Sequence, residues 1–101
     1  MSRPAACILV PRLMKEFGYP ENGARLVADD LVGCSDAIWD IFWDWWQGGE
    51  LRPYSVEGYS ASDLMSERGM NPIAALLSLD WLIREPEQAK ESLRKGHDRV
   101  T

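Results

Sequence analysis

The sequence predicts an all-α fold, a compact bundle of five to six short helices in a single domain. Three observations carry this. Apolar residues recur at helical spacing through most of the chain, Gly and Pro fall where helices start and stop, and no alternating run is long enough to build a sheet. A chain of 101 residues is the usual size of one domain and can bury roughly two thirds of its unfolded surface. The hydrophobic share of 46% and charged share of 27% fit a packed globule and are too apolar for a disordered chain.

The elements follow in order. The first segment, about Pro4 to Phe17, carries Leu9, Leu13, Met14 and Phe17 at helical spacing and stops at Gly18, with Pro11 expected to kink or split it. A second helix spans about Glu21 to Val32 and ends at Gly33. Ser35 is placed to cap a third helix, Asp36 to Gln47, which the Gly48–Gly49 pair closes. Glu50 to Tyr59 reads as a loop pinned by Leu51, Tyr54, Val56 and Tyr59. Ser60 caps a short fourth helix that Gly69 ends, with Asp63 at the reciprocal position. Asn71 and Pro72 start a fifth helix running to about Arg84, and Pro86 starts a last one to about Lys95, leaving a frayed tail over about 96–101.

Two of these helices are apolar nearly all round. On the third, Ile38, Trp39, Ile41, Phe42, Trp43, Trp45 and Trp46 leave only one narrow polar stripe. On the fifth, Ile73, Leu76, Leu77, Leu79, Trp81, Leu82 and Ile83 do much the same. Wrapping both inside one small domain is hard, so the expectation is a homo-oligomer, dimer or tetramer, with Phe42, Trp43, Trp45, Trp46, Leu77 and Trp81 at its interface. The competing expectation is that the tryptophans are monomer core.

The polar stripe is Asp36, Asp40 and Asp44, at i, i+4 and i+8, where like charges face one another. Asp44 also stands near the negative end of its helix. A solvated face is one reading. The other is a pocket where these carboxylates meet Trp39, Trp43 and Trp46, suited to an organic cation through charge pairing and cation–π attraction. Three carboxylates along one straight helix diverge, so no metal site is expected.

Residues 60–84 resemble the helix-turn-helix spacing of DNA-binding regulators: cap, short helix with Leu64, turn at Gly69, longer helix with Ala75, Leu79 and Leu82. The resemblance implies a small transcriptional regulator reading bases with Asn71 and Ser78 and a phosphate with Arg84. Against it stand Asp80, a net charge of −5, and the absence of any Lys or Arg between Arg25 and Arg52. An immunity or antitoxin-like protein is a third class that small size and acidity suit.

No phosphate-binding glycine loop occurs, and the single histidine, His97, falls in the expected tail, so no enzyme activity and no cofactor are expected. Cys7 and Cys34 lack zinc spacing and read as buried free thiols. The apolar run Ala5 to Val10 is too short for a signal segment or a membrane span, which leads to an expected cytoplasmic address. The expected role is therefore a non-enzymatic interaction protein that self-associates through its Trp-rich helix and binds a protein or a small ligand.

Overall fold

The structure, a computed structural model, describes residues 3–99, with side chains to residue 95. It is mostly helical: α1 (Val10–Phe17), α2 (Glu21–Val32), α3 (Asp36–Trp46), α4 (Ala61–Arg68), α5 (Pro72–Arg84) and α6 (Pro86–Arg99), with a 3-10 turn at Ala6–Ile8 and two minimal strands, β1 (Ser55–Val56) and β2 (Tyr59–Ser60). Contacts gather into two compact units, Met1–Cys34 and Ser35–Thr101.

In the first unit Pro11 splits the opening segment. It cannot donate a backbone hydrogen bond, so a 3-10 turn precedes it and α1 takes it in the first turn, where that donor is not needed. Gly18, at φ 73°, ends α1 by donating to the Leu13 carbonyl. Leu9, Leu13, Ala24, Ala28, Leu31 and Cys34 are buried, and small Ala24 and Ala28 lie one turn apart on α2. At the end of α2 the Arg3 guanidinium donates to the carbonyls of Val32, at 2.8 Å, and Cys34, at 2.6 Å. A cation there offsets the partial negative charge of a helix C-terminus.

In the second unit α5 packs against α3, α4, α6 and the hairpin. Ile73, Ala75, Leu76, Leu79, Asp80 and Leu82 of α5 are buried, and of its large apolar side chains only Ile83 is exposed. These elements cover much of the second greasy helix, and leave Leu77 and Trp81 half-buried and Ile83 exposed. Short elements achieve this because they surround α5 on several sides instead of forming a second layer.

Three local readings change. The loop contains a two-residue antiparallel ladder, Ser55 opposite Ser60 and Val56 opposite Tyr59, closed by Glu57 at φ 53° and Gly58 at φ 85°. Two successive positive φ values make the tight turn that matches strand twist. The helix α6 passes through Gly96 to Arg99, since a lone glycine costs a helix only about 1 kcal/mol; the rest of the expected frayed tail lies outside the described residues. Cys7 is exposed, so only Cys34 is the buried thiol that was expected. Among the described residues no helix is long and apolar enough to cross a membrane.

Candidate functional site

The third helix was the first candidate, and its end is built by a local rule. Gly48, at φ 103°, lets its own N–H reach the Trp45 carbonyl at 3.0 Å and the Gly49 N–H reach that of Asp44 at 2.9 Å. These paired bonds close α3 in a Schellman motif. A Cβ on Gly49 would lie 2.8 Å from the Asp44 carbonyl oxygen, so the position excludes a side chain.

The aromatic side chains of α3 form a continuous packed ladder. Trp39 and Trp43 stack, centroids 5.2 Å apart and planes at 15°. Phe42 tilts against Trp39 at 5.4 Å and Trp46 at 5.2 Å, and Trp45 continues the row at 6.2 Å from Trp46. Phe42 is fully buried, Trp39 is 7% exposed and Trp46 8%. Such pairs contribute about 0.5–1.5 kcal/mol beyond the area they bury. Phe42 and Trp46, both named for an oligomer interface, are therefore core side chains that lend a partner almost no surface. Trp43, Trp45, Leu77 and Trp81 are half-buried.

Asp36, Asp40 and Asp44 are all exposed along α3. Asp44 approaches Arg52 at 3.9 Å, with both side chains more than half exposed, a geometry worth at most about 1 kcal/mol. The stripe is an exposed face on the same helix as the half-buried Trp43. Among the described residues no group of three or more His, Cys, Asp or Glu could hold a metal ion.

The residues that the helix-turn-helix spacing singled out are engaged within the protein. Asn71 Oδ1 accepts the Ala74 N–H at 2.7 Å as the cap of α5, and Ser78 Oγ contacts Met70 Sδ at 3.6 Å. Arg84 Nε donates to Asp80 Oδ2 at 2.9 Å. The helix that would enter a groove is the most enclosed one of its unit.

Asp80 is the polar residue that sequence reasoning missed. It is 2% exposed, and its Oδ1 accepts the backbone N–H of Ser35 at 2.8 Å. Ser35 holds the cap position of α3 as expected, but its hydroxyl makes no capping bond and its Oγ is buried without a hydrogen-bond partner among the described residues. Asp80 supplies from α5 what the third residue of a capping box supplies locally, an acceptor for the cap's own N–H, and it adds negative charge at the positive end of α3. The signal was legible only as an acid inside an apolar helix with an arginine four residues on.

Exposed apolar surface gathers in the first unit. Ile8 is 63% exposed, Leu26 67% and Met14 38%, against one such residue, Ile83, in the second unit among the described residues. Ile8, Pro11 and Met14 follow one another at three-residue spacing. The same unit holds a cleft of about 370 Å³, lined by Ala6, Cys7, Val10, Pro11, Arg25 and Asp29. Leu26 is adjacent to Arg25 on α2 and three residues from Asp29. A second, larger cleft of about 860 Å³ has Tyr59, Arg68, Lys90 and Arg94 in its walls. There Arg68 lies 5.8 Å over the Tyr59 ring and donates to the Leu93 carbonyl, while Lys90 Nζ bonds Glu57 at 2.9 Å. That bond, the negative charge of Glu57 and the nearby Glu87 raise the Lys90 amine above its ordinary 10.5.

Compared with known protein families, curated proteins and solved structures, the chain matches none.

Proposed function

We propose that this protein is a non-enzymatic interaction protein that self-associates, and that the contact is the apolar face of its first unit, not the Trp-rich helix. The observation that carries the reading is that three of the four exposed large apolar side chains among the described residues, Ile8, Met14 and Leu26, fall in one 34-residue unit. Single exposed apolar residues are ordinary, but three of them in a unit whose cleft sets Ala6, Val10 and Pro11 beside Arg25 and Asp29 give the mix of apolar and polar surface that docking uses.

Charge supports a second copy as the occupant. Residues 1–34 hold four basic and four acidic side chains, and residues 35–101 hold seven and twelve, so the whole net charge of −5 belongs to the second unit. A contact through the neutral first unit brings no net like charge to the interface, whereas contact through the acid-striped α3 would set like charges against one another.

Light scattering over a range of protein concentrations tests this. The expected result is an assembly that Leu26→Glu or Ile8→Glu dissociates and Trp43→Ala leaves intact. A monomer at every concentration overturns the reading, and dissociation by Trp43→Ala alone returns the contact to α3.

A further inference from the structure

We infer that the cleft formed by the hairpin, the end of α4 and α6 is a binding site for a small organic carboxylate, gripped by the guanidiniums of Arg68 and Arg94. The cleft lies wholly within the second unit, and its volume of about 860 Å³ is that of a small-molecule site. Its charge is opposite to that of its surroundings. With their pair partners, four cations (Arg68, Lys90, Arg94 and Lys95) meet three carboxylates (Glu57, Glu87 and Glu91) around it. The rest of residues 35–101 holds three basic side chains against nine acidic ones.

The lysines are engaged and the arginines are not. Lys90 Nζ lies 2.9 Å from Glu57 and 3.6 Å from Glu87, and Lys95 Nζ lies 3.1 Å from Glu91. Arg68 and Arg94 are left without a carboxylate among the described residues. Arg68 Nη1 donates to the Leu93 carbonyl at 2.5 Å, and the guanidinium lies 5.8 Å over the Tyr59 ring. These contacts occupy one of an arginine's five N–H donors and one face, so the fork is held in place with the other donors left to a ligand. The same bond brings it to the residue that precedes Arg94 on α6. Arg94 is exposed and has no hydrogen bond or ion pair among the described residues. A planar guanidinium matches the two oxygens of a carboxylate, and a group already positioned loses less freedom on binding.

Charge also sets the size of the ligand. A nucleic acid or an acidic protein extends beyond the cleft, over a unit with seven basic and twelve acidic side chains, and is repelled there. A small acid with one or two negative charges meets only the local excess of cations. A phosphate dianion is disfavoured against a carboxylate, because Glu87 and Glu91 line the same cleft.

The experiment titrates the full chain in low-salt Tris with benzoate, succinate, inorganic phosphate, a glutamate hexapeptide or sodium chloride, following arginine Nε–H and backbone amide signals by NMR. The expected result is saturable shifts at Arg68 and Arg94 with benzoate or succinate, larger than those from sodium chloride at matched ionic strength. Arg94→Gln should raise that Kd roughly tenfold or more, the scale of one lost charge-assisted bond, with circular dichroism and the urea midpoint unchanged. Arg68→Lys keeps the charge and loses the fork, so it should weaken binding as well. The same shifts from chloride, or none from either acid, overturn the site. Saturation that Arg94→Gln leaves unchanged overturns the arginine grip. Tighter binding of phosphate or of the hexapeptide overturns the ligand class.

Discussion

Replacing Asp80 with alanine removes the acceptor that holds the start of α3. The carboxylate is 2% exposed and serves two donors, the Ser35 N–H at 2.8 Å and Arg84 Nε at 2.9 Å. A hydrogen bond to a charged acceptor contributes about 1.5–3 kcal/mol, and losing it strands the N–H of a helix cap. The Arg84 side chain is 59% exposed, so water replaces most of what that pair supplies, leaving at most about 1 kcal/mol. Deleting a buried charge also removes its own desolvation penalty, which offsets part of the loss. The net expectation for Asp80→Ala is a destabilisation of about 2–3 kcal/mol. Asp80→Asn keeps an acceptor for Ser35 and loses only the charge, so it should cost about 1 kcal/mol. Urea unfolding followed by tryptophan fluorescence measures both. At a slope of about 1–2 kcal/mol/M the alanine variant should lower the midpoint by roughly 1–3 M. An alanine variant within 0.5 kcal/mol of wild type, or an asparagine variant as damaged as alanine, would refute the assignment of the Ser35 bond as the stabilising contact.

Two other predictions follow from local geometry. Gly49→Ala forces the Asp44 carbonyl to move from a Cβ 2.8 Å away and opens the closing turn of α3, so it should lower stability by about 1–3 kcal/mol; urea unfolding checks this. The folded pKa of Lys90 is raised, so the contribution of its bond to Glu57 is fully present below the ordinary value of 10.5 and is lost as pH rises through the raised value. A titration of Lys90 followed by NMR should therefore show a midpoint above 10.5 that Glu57→Gln returns toward the ordinary value.

Much of the fold was legible because helix ends are written in local chemistry. Gly18 and Gly69 end α1 and α4 at positive φ, Ser60 Oγ accepts the Asp63 N–H at 3.1 Å, and Pro72 follows its Asn71 cap. Each depends on residues within a turn of one another, so periodicity and punctuation suffice. The hairpin escaped because strands of two residues carry no period. Its only local sign was Glu57–Gly58 between Val56 and Tyr59.

Helix boundaries and the sign and placement of charge were thus set by the sequence itself, through forces that act over a few residues. Which side chains are interior was decided only by the tertiary structure. Trp39, Phe42 and Trp46 gave the same apolar signal as Trp43 and Trp45, yet the first three are buried and the other two half-buried. Asp80 looked like a surface acid on a greasy helix until the backbone of Ser35, 45 residues earlier, was placed against it. Burial and long-range hydrogen bonds depend on neighbours that no local window contains, because hydrophobic burial is non-directional and assigns an apolar residue to no particular partner.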